Sequence, residues 1–174
     1  MKSLHLLPLL GHLFGETVLV EKYVPGREIH VAVLDGKALG VTEIIFAGRF
    51  FDYDAKYHDK RTELITPAQV PDDVTQEAKK SAEAVYKVLG CRGIARCDFR
   101  YDDSKPGAEG VVFLEINTMP GLSPGSIAVI QPEHNGISYV ELISHLVETA
   151  TCQSLEQREA RSSAAAGATE KMRA

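Results

Sequence analysis

Positive charge is in short supply in this sequence. Its 19 lysines and arginines are outnumbered by 24 acidic residues, which gives a formal net charge of −5 at pH 7. Proteins that bind DNA or RNA rely on a basic surface that displaces the counterions of the phosphate backbone. No basic stripe of that kind occurs in the sequence, so we expect no nucleic-acid partner.

Cysteine is also scarce. Cys91, Cys97 and Cys152 form an odd set, with no CxxC pair and no histidine at metal-ligand spacing. Such a set suits neither a disulfide framework nor a zinc site. We expect three buried, reduced thiols, because free cysteine behaves as a small hydrophobic residue.

The two common glycine-rich nucleotide motifs are absent. The sequence contains neither G-x-x-x-x-G-K-[ST] nor G-x-G-x-x-G. These motifs carry the phosphate contacts of P-loop and Rossmann proteins. Any ATP site in this chain must therefore use another fold.

The opening stretch, residues 1–16, is rich in leucine and has a positive charge, Lys2, before its apolar residues, as a secretory signal peptide does. However, Pro8, His5 and His12 interrupt it, no small-x-small cleavage site follows, and it is too short to cross a bilayer. We therefore expect a cytoplasmic protein with no membrane partner.

The remaining sequence has enough apolar content for one folded domain. With 174 residues and 44% hydrophobic content, the chain can bury a core without disulfides or metals. Regular patterns occupy residues 17–150, after the divergent segment 1–16. The tail, residues 151–174, is rich in alanine, serine and charge, and we expect it to be a frayed helix or disordered.

Apolar periodicity and turn residues predict the elements of this domain. Strands are expected over residues 17–24, 27–34, 38–45, 93–101 and 110–118, and helices over 71–90 and 138–150. The longer helix should bury Val74, Ala78, Ala82 or Ser81, Val85 and Leu89. Asp35-Gly36 predicts a hairpin turn. The order of elements indicates an α+β domain with a mainly antiparallel sheet packed with helices.

Strand alternation places polar residues on one face of the hairpin formed by residues 93–101 and 110–118. Arg96, Asp98 and Arg100 share a face opposite Cys97, Phe99 and Tyr101, and Phe113, Glu115 and Asn117 share a face opposite Val112, Leu114 and Ile116. If the strands pair in the simplest register, Asp98, Glu115 and Asn117 converge.

Two carboxylates and one amide oxygen form a hard ligand set that suits Mg²⁺, with phosphate oxygens and water completing the coordination. The same alternation is also typical of a solvated outer sheet face. The Pro/Gly/Ser-rich run TMPGLSPGS follows Asn117 directly. Its backbone N–H groups could receive an anion beside such a site, although runs of this composition are usually plain loops.

Four strings, in this order and at these separations, resemble the C-terminal half of the D-alanine–D-alanine ligases of the ATP-grasp superfamily. They are VLVEKYVPGREIHVAVL, FFDYDAKY, GCRGIARCDFR and FLEINTMPGLSPGS. Other ATP-grasp ligases share the single motifs, whereas the combination of DYDAKY with EINTMPG is specific to this family. The resemblance covers residues 17–150 and implies the ATP-grasp C-terminal subdomain.

The resemblance implies a role for each matching residue in the binding of ATP and two Mg²⁺ or Mn²⁺ ions. Glu21 and the backbones of Lys22 and Val24 would contact adenine, and Glu28 the ribose hydroxyls. Asp98, Glu115 and Asn117 would bind the two ions, and Lys56 would face the phosphates.

The resemblance also implies how the substrate D-alanine is bound. Arg96 would stabilise the oxyanion of the tetrahedral intermediate. Ser126 and the Ile127 backbone would hold the carboxylate of the second D-alanine, with Gly121 in the same loop. Tyr57 implies D-alanine rather than D-lactate as the second substrate. The histidines, His30 among them, need no catalytic role.

The implied activity is ATP-dependent joining of two D-alanines for peptidoglycan precursor synthesis. Ligases of this type carry a substrate domain and a central subdomain before the position of Glu21, where this chain has some twenty residues. We therefore expect a fragment, truncated product or subunit that is weak or inactive alone and that associates, for instance as a homodimer, through the uncovered face. A non-catalytic ATP- and Mg²⁺-binding module and another ATP-grasp carboxylate–amine ligase stay as alternatives.

Overall fold

An antiparallel sheet organises the computed structural model, which describes residues 19–45 and 62–151. Its strands are β1 (Arg27–Leu34), β2 (Lys37–Ala38), β3 (Thr42–Ile45), β4 (Glu63–Ile65), β5 (Ile94–Tyr101) and β6 (Val111–Asn117). The strand order is β4-β3-β1-β5-β6, with β2 paired to β1, and every pairing is antiparallel. The predicted fold class is confirmed.

Three α-helices complete the described elements. They are α1 (Asp72–Val88), α2 (Ile127–His134) and α3 (Tyr139–Glu148), and a short 3-10 turn, Gly107–Gly110, precedes β6. The described part of the chain contains no helix that is both long and apolar enough to cross a bilayer.

The hairpin at Asp35-Gly36 forms as predicted. Both residues have positive φ angles, 49° and 84°, which suits a tight turn between twisted strands. Leu34 pairs with Lys37 across the turn, and the first half of β1, from Glu28 to His30, pairs with β3.

Helix α1 covers one face of the sheet and forms the main core with it. Its buried residues are Val74, Ala78, Ala82 and Tyr86, packed against Ile29, Val31 and Val33 of β1 and Cys97, Phe99 and Tyr101 of β5. The prediction of Val85 and Leu89 at the end of this stripe is wrong. Tyr86 continues the four-residue spacing, and its hydroxyl donates to the carbonyl of Gly93 at 2.8 Å. Leu89 lies past the helix and is 54% exposed.

The strand predicted over residues 17–24 is not formed within the described residues 19–24. Leu19, Val20 and Tyr23 are exposed, and the segment is irregular. Its residue types favour a strand, but a strand is stabilised by pairing, and no described strand pairs with this segment.

The other face of the sheet is partly covered by α2 and α3. A second cluster of Ile94, Ala128, Val129 and Leu142 joins these helices to the start of β5. Helix α3 begins at Ser138, where Ser138 and Glu141 form a capping box. Helix α2 was not predicted, because Pro132 lies inside it and its sequence has no clear apolar stripe.

Gln131 of α2 is fully buried and forms hydrogen bonds with the backbone of β1. Its Oε1 accepts from the Ala32 amide at 2.7 Å, and its Nε2 donates to the His30 carbonyl and to Thr42 Oγ1, both at 2.9 Å. One amide side chain therefore anchors the helix on the sheet through three hydrogen bonds.

The cysteines match the prediction only in part. Cys97 is fully buried, and burial raises the pKa of its thiol to about 12, so the thiol stays protonated. Cys91 is only half-buried, at the end of α1. Cys152 lies outside the described residues.

We predict that Gln131→Met destabilises the domain. Methionine fills a similar volume without an amide, so Ala32 N–H and the His30 carbonyl lose this partner where water does not reach. The free energy of unfolding should fall by about 2–4 kcal/mol, measured by denaturant titration.

The control is Glu133→Met, on the exposed side of the same helix. It should stay within about 0.5 kcal/mol of the wild type. Equal losses in the two variants would mean that the buried amide has no special role.

Candidate functional site

The pairing of β5 with β6 brings the predicted metal-binding residues together. Asp98 is the direct partner of Glu115, and Arg96 is the direct partner of Asn117. Direct partners in an antiparallel pair project to the same side of the sheet. The acidic pair therefore shares one face, as strand alternation predicts.

A β-bulge changes the alternation beyond this point. Asp98 pairs with Glu115, but Phe99 pairs with Phe113, so Leu114 is an extra residue in β6. Phe113 thus turns to the core side, where its ring meets Phe99 edge-on with centroids 5.5 Å apart. The predicted grouping of Phe113 with Glu115 is wrong for this reason.

Because of the bulge, the prediction that Val112 lies on the apolar face is also wrong. Val112 is the partner of Arg100 and so lies on the charged side of the sheet. Ile116, opposite the buried Cys97, stays on the core side as expected.

Charged side chains of β1 and β5 form a continuous row on the face opposite α1. We call this row, together with the adjoining residues of β6, the charged face. It consists of Glu28 and His30 of β1, Arg96, Asp98 and Arg100 of β5, and Glu115 and Asn117 of β6. Within the row, Arg100 Nη1 lies 3.5 Å from Glu28 Oε2, and His30 Nε2 lies 3.1 Å from Glu28 Oε1. His30 Nδ1 in turn lies 3.2 Å from Asp98 Oδ1. The row thus alternates basic and acidic groups.

Arg96 and Asp98 close the row with a bidentate pair. Arg96 Nε donates to Asp98 Oδ1 at 2.7 Å, and Nη2 donates to Oδ2 at 2.8 Å. These bonds, followed by the nearby charges of Asp98, Glu115 and Glu28, raise the pKa of Arg96 above its ordinary value, while burial acts against them. Arg96 is therefore a permanent cation on this face, and its Nη1 is not used by the pair.

Sequence reasoning gave His30 no catalytic role and did not predict its contacts. The residue is buried between the carboxylates of Glu28 and Asp98. It shares strand parity with Glu28, and this parity could have placed it on the charged face.

The predicted nucleotide residues that the structure describes lie within this row or just before β1. Glu28 is half-buried on β1, within the charged face. Glu21 and Lys22 are exposed in the irregular segment before β1, and Val24 is half-buried there. Lys56 and Tyr57 lie outside the described residues.

The loop from β6 to α2 holds the remaining candidates. Asn117 Oδ1 accepts from the Met119 amide at 2.9 Å, which fixes its side chain at the end of β6. Ser126 directly precedes α2, and its hydroxyl donates to the Gly121 carbonyl at 2.7 Å. Ile127 is the first residue of α2 and its side chain is buried, so only its backbone is available to a ligand.

Comparison with known proteins gives one consistent result. The family model for the D-ala D-ala ligase C-terminus matches residues 11–148. A D-alanine–D-alanine ligase of Chelativorans sp. is 44% identical over 140 residues, which make up 80% of this chain and 46% of that protein.

Solved structures agree. The D-alanine–D-alanine ligase from Bacillus anthracis superposes with a TM-score of 0.69 at 31% identity, over 85% of this chain and 47% of that one. A second structure of it, complexed with ATP, gives a TM-score of 0.67 at 27% identity, over 85% and 46%. The chain thus spans about half the length of the relatives it matches. It belongs to the family of D-alanine–D-alanine ligase C-terminal domains.

Proposed function

We propose that this chain is the nucleotide- and metal-binding half of a D-alanine–D-alanine ligase. The complete site would convert ATP and two D-alanines to D-alanyl-D-alanine, ADP and phosphate for peptidoglycan precursor synthesis in the cytoplasm. The observation that carries the proposal is the direct pairing of Asp98 with Glu115, with Arg96 opposite Asn117, in a member of this family.

The metal-binding part of the proposal rests on the donor set. Asp98, Glu115 and Asn117 offer oxygen ligands on one face, which fits Mg²⁺ or Mn²⁺. Among the described residues no three His, Cys, Asp or Glu side chains converge as a complete metal site. Two acids and an amide would therefore share two ions with phosphate oxygens and water, and Asp98 Oδ2 keeps a lone pair beside its bond to Arg96 Nη2. The bound ions would neutralise charge on the transferred phosphoryl group.

The nucleotide would lie along the start of β1. Glu21 and the backbones of Lys22 and Val24 would contact adenine, Glu28 the ribose hydroxyls and Lys56 the phosphates. The row from Glu28 through His30 to Asp98 supports this order, because it places the proposed ribose ligand and a proposed metal ligand on one continuous face.

The reaction requires positioning and electrostatic stabilisation, with no covalent enzyme nucleophile. The carboxylate of the first D-alanine would take the γ-phosphoryl group of ATP and form an acyl phosphate. The amine of the second D-alanine would attack that carbonyl, and phosphate would leave. Arg96, held by Asp98 and always charged, would stabilise the oxyanion that forms in this attack.

The second D-alanine would be held at the start of α2. Ser126 and the Ile127 N–H would receive its carboxylate beside Gly121, because free N–H groups and the helix dipole favour an anion there. Tyr57 would favour D-alanine over D-lactate.

Two other functions are favoured by particular observations. The D-Ala:D-Ser ligase VanG of Enterococcus faecalis also superposes, with a TM-score of 0.61 and 31% identity over 74% of this chain, so a different second substrate is the first alternative. The second alternative is a non-catalytic module that binds ATP and Mg²⁺ or associates with a partner or a second copy, and the grouping of Glu28, Asp98 and Glu115 on one face is what favours it.

We predict that Glu115→Gln removes most Mg²⁺-dependent nucleotide binding. The amide keeps the size but loses the charge that balances the cations, so affinity for ATP with Mg²⁺ should fall by about tenfold or more. Titration of labelled ATP with and without Mg²⁺ measures this.

Glu109→Gln is the matched control, because Glu109 is exposed in the turn that precedes the same strand. It should bind as the wild type does. If Glu115→Gln also binds unchanged, Glu115 is an ordinary surface acid.

We further predict that the 174-residue chain alone makes no dipeptide at a useful rate. Positioning of reactants accounts for roughly 7–11 kcal/mol of the barrier reduction in well-oriented reactions, and here only one side of the site is supplied. The assay incubates the purified chain with ATP, Mg²⁺ and D-alanine and follows ADP and dipeptide separately. Dipeptide formed at enzyme-like turnover and lost in Arg96→Ala would contradict the prediction.

A further inference from the structure

Arg100 ties the irregular segment before β1 to the centre of the sheet. Its Nη2 donates to the Gly26 carbonyl at 2.6 Å, and its Nε donates to the Val24 carbonyl at 3.2 Å. Its Nη1 lies 3.5 Å from Glu28 Oε2. One planar guanidinium thus joins the backbone of this segment to the Glu28 side chain.

The backbone around Gly26 makes a second contact with the same strand. Gly26 has a φ of +95°, and a Cβ atom there would lie 2.1 Å from the Tyr101 carbonyl oxygen. Only glycine permits this approach. The segment is therefore held against the end of β5 at two neighbouring points, by Arg100 and by Gly26.

The pair formed by Arg100 and Glu28 is largely shielded from water. Their side chains are 11% and 13% exposed, so loss of the guanidinium would leave the shielded Glu28 carboxylate without its arginine partner and the Val24 and Gly26 carbonyls without this donor. The Val24 and Gly26 carbonyls and the Glu28 carboxylate meet at this one guanidinium. Arg100 thus helps to fix the orientation of the Val24 backbone relative to Glu28.

We propose that Arg100 is a positioning residue that sets selectivity for the base of the nucleotide, by holding the Val24 backbone at a fixed distance from Glu28. This inference rests on the proposed function, in which the Val24 backbone contacts adenine and Glu28 contacts the ribose. Arg100 itself touches neither group. The phosphate and metal contacts belong to other residues, so they do not depend on Arg100.

The test compares Arg100→Met and Arg100→Lys with the wild-type chain. Each is titrated with ATP, GTP and inorganic tripolyphosphate, always with Mg²⁺. Arg100→Met should bind ATP about tenfold or more weakly, because the Val24 backbone and Glu28 lose the charge-assisted hydrogen bonds that position them, and the preference for ATP over GTP should shrink. Tripolyphosphate affinity should stay within about twofold of the wild type, since the lost bonds carry no phosphate contact.

Two further variants separate positioning from general damage. Arg100→Lys should recover only part of the preference, because a point donor cannot reach three acceptors in a fixed fork. Gly26→Ala should reproduce the loss while Arg100 is intact, since the added Cβ pushes the segment off β5. Arg92→Met, at an exposed arginine before the same strand, should leave all three affinities unchanged.

The outcomes distinguish the inference from the proposed function. If the wild type prefers ATP and Arg100→Met keeps that preference, the positioning role is wrong and the proposed function stands. Equal losses for ATP and tripolyphosphate would also overturn it, because they indicate a merely structural role. A wild-type chain that binds neither compound would overturn the proposed function together with this inference.

Discussion

The pairing of β1 with β5 over eight residues is the constraint on which the rest of the structure depends. Arg27 pairs with Tyr101 at one end and Leu34 pairs with Ile94 at the other, without interruption. Because strand alternation has a period of two, this register decides the face of every side chain in the centre of the sheet. A slip of one residue would turn Val31 and Phe99 out of the core and bury the charged row instead.

This register lowers the free-energy cost of burying the acids of the charged face. Burying a single carboxylate costs several kcal/mol unless it is paired. Across β1 and β5, Glu28 lies directly opposite Arg100, and His30 lies directly opposite Asp98. Each acid therefore meets a basic group that the register itself supplies, and Gln131 satisfies the backbone of β1 just beyond the row. Core packing and charge pairing are two consequences of one alignment.

Strand parity explains how much of this arrangement could be predicted from the sequence. The shared face of Asp98 and Glu115 follows from alternation and the simplest hairpin register, and both are local properties. The bulge at Leu114 could not be foreseen, because Val112, Phe113 and Leu114 are all apolar and fit either face. The contact of His30 with Asp98 was not predicted, because Asp98 lies on β5, some seventy positions along the chain, and only the register joins the two residues. Helix α2 could not be predicted from apolar periodicity, because the residue that anchors it, Gln131, is polar and yet buried.

The balance of charge on this face bears on how a cation would be held there. Asp98 is matched by Arg96 and Glu28 by Arg100, so among the described residues Glu115 is the acid of the face with no ion pair. One unpaired carboxylate attracts a divalent ion only weakly when water competes, and the positive charges of Arg96 and Arg100 repel the ion. A nucleotide brings its own phosphate charge, which adds negative ligands and draws on the same arginines. Under the proposed function, ion and nucleotide therefore bind as one unit, because neither finds enough opposite charge on this face alone.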